Sequence, residues 1–223
     1  EIINADSMQI YRDFSILSSR PSKIDEKKIK HHLYGFQPSK KLFSTGQWLK
    51  LLKKHLIHCL KKNKIPIIVG GTGLYFKGIT DGITKIPNIK IYQRQRIRNL
   101  HKQLGQKDFY KKLLKLDPLA ARHVHDSDVQ RSLRAFEVKK YTKKSLYEWI
   151  KFTKSEFKKY ELCKIFINTP RSILIKNINV RVEKMFNDGV VKEVKNFISK
   201  KVPSNLTISK LIGINEIKDY LDN

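Results

Sequence analysis

Acidic residues, cysteines and long apolar runs are all scarce in this chain of 223 residues, and each shortage removes a class of protein. The two cysteines, Cys59 and Cys163, form no Cys-x-x-Cys and show no Cys/His spacing of the zinc type. A disulfide framework is therefore excluded, and both read as free buried thiols in a reducing compartment. No apolar run approaches the roughly 20 residues that cross a bilayer, and no secretory signal opens the sequence. The reading is a cytoplasmic protein with no membrane partner. His-Glu-x-x-His is missing, and neither His31-His32 nor His123-Val124-His125-Asp126 has a partner cluster at helical i, i+4 spacing. Those histidines read as packing or surface residues, so no protein-held metal is predicted. GxxxxGK[ST] is also missing from these residues.

Only 20 Asp and Glu stand against 47 Lys and Arg, leaving a formal charge of +27. Such an excess points to polyanionic partners. An AT-rich coding sequence would also raise lysine together with the abundant Ile and Asn. Arginines at particular places therefore carry more information than the total.

The apolar pattern predicts an α/β protein. Residues 1–5 read as a buried strand, and His31 to Phe36 as a second, short one. From Ser44 a helix carries Trp48, Leu51, Leu52, Leu56, Cys59 and Leu60 at three- and four-residue intervals. A strand over 65–69 follows, and strand–helix–strand order suggests a parallel sheet. Ile67-Ile68-Val69 is continuously apolar, as a strand buried on both faces would be. Residues 89–158 show several helical stretches and no strand, which predicts a helical insertion between core segments 1–88 and 159–223. Leu162 to Ile167 reads as a returning strand, and a helix with Ile178, Val182, Met185 and Phe186 comes after it.

Three stretches carry chemistry. Asp6 would lie at the C-terminal end of a parallel strand, where α/β sheets bind ligands, and could act as a general base. Asp6 and Ser7 also suit a helix N-cap, and spacing alone slightly favours that. Gly70-Gly71-Thr72-Gly73 could hold an anion or polar edge on its amides and hydroxyl, or serve as a plain strand-to-helix turn. On a helix that turns Val129, Leu133 and Phe136 inward, Gln130, Arg131 and Arg134 would fan across the other face, suited to phosphates and unstacked bases. Arg94, Arg96 and Arg98 form a second cluster. A solvated face is the bland alternative.

Taken together, the chain resembles the tRNA dimethylallyltransferase (tRNA isopentenyltransferase) family. The resemblance runs through Asn4-Ala5-Asp6-Ser7-Met8-Gln9-Ile10-Tyr11, His31-His32-Leu33, Ile67 to Tyr75, Asp117-Pro118, His125 to Arg131, Arg134 to Val138, Pro170-Arg171, and Arg181 to Met185 with Gly189. It implies a P-loop-NTPase-like parallel-sheet core with an all-helical tRNA-binding insertion. It also implies transfer of a dimethylallyl group from dimethylallyl diphosphate to N6 of the adenosine beside the tRNA anticodon. By the match Asp6 is the base. Ser7, Met8 and Gln9 line the flipped adenine, and Thr72 meets the tRNA. Arg94, Gln130, Arg131, Ser132, Leu133 and Arg134 hold the anticodon stem-loop, and Arg181 faces the diphosphate. Mg2+ is the implied cofactor, held mainly by diphosphate and water, and the enzyme is expected to be a monomer.

Against the family pattern, the first strand and P-loop would precede Glu1. Asn177 replaces a usual arginine, and Gly213-Ile214-Asn215 stands where Gly-Tyr-Arg is usual. An RNA-binding protein without catalysis, a related nucleotide kinase, and a prenyltransferase for free adenine nucleotides are the competing readings.

Overall fold

The computed structural model describes residues 1–222. They form two compact units, Glu1–Gly78 with Tyr160–Asn223, and Ile79–Lys159. Among the described residues no helix is long and apolar enough to cross a membrane.

The first unit is built on a three-stranded parallel sheet in the order β2-β1-β3, with β1 at Ile2–Asn4, β2 at His31–His32 and β3 at Ile67–Val69. β1 is central. Ile2 and Ile3 face His31 and His32 on one side, and Ile2, Ile3 and Asn4 face Ile67, Ile68 and Val69 on the other. The α/β class and parallel pairing agree with the sequence pattern.

Three strand expectations are corrected. β2 stops at His32 because Leu33 and Gly35 adopt left-handed backbone, with φ of 65° and 56°, which ends a ladder. β3 is a sheet edge rather than a strand covered on both faces, and Ile67 and Val69 are about half exposed. Leu162 to Ile167 forms no strand, and Cys163 is exposed rather than buried. An apolar β-prone run becomes a strand only where a neighbour takes up its N–H and C=O groups. None of the described strands does so here.

After β1 come α1 (Lys23–Lys28) and α2 (Thr45–Lys61). Ser44 caps α2, its side chain accepting from the Gln47 amide while Gln47 reaches back, so two otherwise orphaned donors are satisfied. Trp48, Leu52, Leu56 and Cys59 recur at helical spacing and are buried. The Trp48 indole donates to Asn4 O at 2.9 Å, tying helix to sheet. α3 (Gly73–Thr80) follows β3.

The second unit contains α4 (Ile91–Leu116), α5 (Val129–Thr142) and α6 (Leu146–Lys151). α4 breaks at Gly105, whose φ of 70° and ψ of 171° are not helical. Two helical segments therefore meet at that residue. Ile97, Phe109, Leu113, Ala120, Val124, Leu133, Ala135 and Phe136 form the core. This unit starts at Ile79, before the expected residue 89. The intervening segment is bound to residues 153–155: Thr84 and Thr153 hydroxyls meet at 2.6 Å, and the Ser155 hydroxyl donates to Ile79 O.

The rest of the first unit holds α7 (Arg171–Asn187), α8 (Val190–Ser199) and α9 (Ile214–Asp222). α8 and α9 bury Val190, Val194, Phe197, Ile214 and Ile217 against Ile10, Tyr11 and Phe14. The loop after β1 is fixed from the same side, because the Glu193 carboxylate accepts from the amides of Ser15, Ile16 and Leu17.

Candidate active site

β1 and β3 end side by side, and the two chains that leave them are hydrogen-bonded to one another. The Ala5 amide donates to Val69 O at 2.7 Å and the Thr72 amide to Ala5 O at 3.2 Å. One step further on, the Ser7 amide donates to Thr72 Oγ1 at 2.9 Å, and the Thr72 hydroxyl donates to Ser7 Oγ at 3.2 Å. Gly70 is what allows this approach. A Cβ there would lie 2.2 Å from Ala5 C and 2.6 Å from Asp6 N, whereas Gly71 and Gly73 have nothing within 4 Å. Of the glycines in this turn, only Gly70 is demanded by packing.

Asp6 meets the capping role open to it with one carboxylate oxygen. Its Oδ1 accepts from the Met8 amide at 2.7 Å and the Gln9 amide at 3.4 Å, closing a turn where spacing suggested a helix N-cap, since no helix follows Asp6 before α1. Oδ2 carries no hydrogen bond among the described residues. One oxygen holds the turn, and the other has no protein partner among the described residues. The backbone of Asp6 is fixed by the buried Asn4 side chain. Asn4 Oδ1 accepts from the Asp6 amide at 2.8 Å, and Nδ2 donates to Asp6 O at 2.9 Å and Leu33 O at 3.0 Å. Sequence reading missed Asn4 as a positioning residue. Its signal was an amide closing an apolar strand, where an unpartnered polar group would be costly.

Two tyrosines feel the Asp6 charge. Burial, then Asp6, pushes the Tyr34 phenol above its ordinary value. Burial, then Tyr11 and Asp6, does the same to Tyr75, which stacks on Trp48 with ring centroids 4.1 Å apart. Met8 is half-buried. The Gln9 amide donates to Ser18 O and Ser19 O, both at 2.9 Å, leaving its carbonyl as the open end.

In the second unit the arginine fan is narrower than its helical spacing suggested. Asp128 caps α5 by accepting from the Arg131 amide at 2.9 Å. Gln130 and Arg131 are exposed, but Ser132 and Leu133 are buried, so their side chains do not share that surface. α5 packs a wider face than the Val129, Leu133 and Phe136 stripe, because Ala135, Glu137 and Val138 are buried as well. Arg134 is half-buried and lies 3.5 Å from the buried Glu137 carboxylate. Burial pushes the Glu137 carboxyl up, while Arg134, Arg94 and Arg98 pull it back. Arg94 Nε is buried without a hydrogen bond among the described residues.

His123 stacks on Tyr147 at 4.1 Å, and His125 lies 2.8 Å from the Ser127 hydroxyl, which matches their reading as packing and surface residues. Arg181 is exposed on α7, and no hydrogen bond or ion pair among the described residues joins it to the β1 and β3 ends.

The IPP transferase family model matches residues 9–223. A tRNA dimethylallyltransferase of Pelagibacter ubique is 49% identical over 223 residues, covering 100% of this chain and 71% of that protein. One from Rickettsia canadensis is 36% identical and is covered over 69% of its length. Among solved structures, the tRNA isopentenylpyrophosphate transferase of Bacillus halodurans superposes with a TM-score of 0.64 at 27% identity, over 100% of this chain and 69% of that one. A eukaryotic dimethylallyltransferase crystallised acting on tRNA shares the fold, with a TM-score of 0.80 at 22% identity over 99% of this chain and 56% of that one. With its two strand ends joined through Gly70 and Thr72, and with this match along nearly its whole length, the chain belongs to the IPP transferase family.

Proposed function

We propose that this chain transfers a dimethylallyl group from dimethylallyl diphosphate to N6 of the adenosine next to the tRNA anticodon, working as a cytoplasmic monomer. The observation that carries this is the division of labour at Asp6, one carboxylate oxygen engaged by backbone amides and the other open, in a chain whose relatives are named tRNA dimethylallyltransferases.

The N6 lone pair of adenine is delocalised into the ring, so the amine is a weak nucleophile. In the transfer the N6–C1 bond forms, the C1–O bond breaks, and its electron pair leaves with the diphosphate. Asp6 Oδ2 takes the N6 proton, help worth about 10²–10⁴ in rate. Ser7, Met8 and the Gln9 carbonyl line the flipped base, and Thr72 sits at the tRNA. Gln130 and Arg131 address the anticodon arm, with Arg94 and Arg134 behind them. Arg181 offers a planar fork to the leaving diphosphate.

Near Asp6 the donors are all oxygens: one carboxylate and the hydroxyls of Ser7 and Thr72. That set fits a hard divalent cation such as Mg2+, held mostly by diphosphate and water. Bound there, the cation would neutralise leaving-group charge.

In the full-length protein, Asp6→Asn keeps an acceptor for the Met8 amide and removes the base. With labelled dimethylallyl diphosphate and tRNA, transfer should fall by about 10²–10⁴ while tRNA affinity holds. Normal turnover by this variant would overturn the assignment.

A further inference from the structure

At the opposite end of β1 from Asp6, about 16 Å of extended chain away, a second group of side chains converges. The Glu1 carboxylate lies 2.5 Å from His32 Nε2 and 3.5 Å from Cys59 Sγ. The three ligand atoms lie within 4.8 Å of one another. His32 and Cys59 are buried, and Glu1 is nearly so. α2 brings two more imidazoles to the place. The His55 ring centroid is 4.4 Å from that of His32, and the His58 centroid is 6.4 Å away. His58 Nε2 is buried and has no hydrogen-bond partner among the described residues.

From these residues we infer a divalent-metal site of the zinc class at the N-terminal edge of the sheet, formed by Glu1, His32 and Cys59 with an imidazole from α2 as the fourth ligand. Thiolate, imidazole and carboxylate together select a borderline ion and disfavour Mg2+ or Ca2+, which prefer all-oxygen shells. His55, His58 and Cys59 stand at i, i+3 and i+4, so one helical face presents all three. Ligand atoms around a tetrahedral zinc are roughly 3.3–3.7 Å apart, given Zn–N and Zn–S bonds of about 2.0 and 2.3 Å. The Glu1–Cys59 separation already falls in that range. The Glu1–His32 pair must open by about 1 Å, which side-chain rotation provides. As the metal enters, the Cys59 thiol proton is released to solvent. The site would cross-link β1, β2 and α2, and it is separate from the transfer chemistry.

The test is a Co2+ titration of the full chain after chelator treatment. The expected result is binding of one equivalent with a near-ultraviolet sulfur-to-cobalt charge-transfer band. Cys59→Ser should abolish the band, and Cys163→Ser should keep it. Because Cys59 is fully buried, the doubly substituted His55→Gln/His58→Gln chain serves as a second variant. It should bind more weakly by at least the ~10–100-fold that loss of a supporting ligand partner costs. Zn2+ should raise the Tm of the unsubstituted chain by mass action and leave that of Cys59→Ser unchanged. A folded chain with no charge-transfer band, or a band lost in Cys163→Ser and kept in Cys59→Ser, would overturn the site.

Discussion

At the residue scale, the candidate site depends on one missing methyl group. A Cβ on Gly70 would overlap the Ala5 carbonyl carbon and crowd the Asp6 amide, and both are backbone atoms that cannot step aside as a flexible side chain would. Gly70→Ala should therefore push β3 from β1 and misplace Asp6. Since misplacing a catalytic group by about 1 Å can cost ~10²-fold, its transfer rate should drop by that order. Gly71→Ala, with open space around it, should stay near the parent rate in the same assay. Arg134 shows how a residue's worth depends on its neighbour. Removing it leaves the buried Glu137 carboxyl without its ion-pair partner, so Arg134→Ala should lose about 1–3 kcal/mol at neutral pH. Glu137 has a raised carboxyl value in the fold, and losing Arg134 raises it further. A raised carboxyl contributes its stability below the unfolded value of 4.5 and loses it as pH rises through the folded one. The deficit of Arg134→Ala should accordingly shrink as pH falls through the folded carboxyl values, which lie above 4.5, as thermal unfolding across pH would show. Arg131, exposed beside Asp128, is the opposite case. Arg131→Ala should leave stability alone and lower the salt slope of tRNA binding by about one.

At the scale of elements, what was legible in the sequence is what local chemistry decides. Ser44 and Gln47 announce the start of α2, and Trp48, Leu52, Leu56 and Cys59 mark its buried face. Asp6 and Thr72 could be placed at neighbouring strand ends because strand–helix–strand order implies parallel pairing, which the β1–β3 register shows. What could not be read depends on partners distant in sequence. Leu162 to Ile167 has every local mark of a strand and no ladder to join. His32 meets Glu1 and Cys59 only because a strand pair and a helix end converge. The burial of Ala135, Glu137 and Val138 on α5 likewise depends on what packs against that helix.

On the scale of the whole molecule, charge and apolar surface act against each other. Ile165, Phe166 and Ile167 are each more than four-fifths exposed, and Ile173, Leu174, Ile175 and Ile178 on α7 are about two-fifths to half exposed. Exposed β-prone and apolar surface of this kind favours sticking to other copies. A formal charge of +27 opposes it by keeping copies apart. Salt screens that repulsion, with a Debye length of about 8 Å at physiological strength and about 3 Å at 1 M. Raising ionic strength should then have two effects in one tube: tRNA affinity declines, and light scattering from self-association grows. A buffer chosen to strip nucleic acid from this protein should therefore also be the one in which its copies associate.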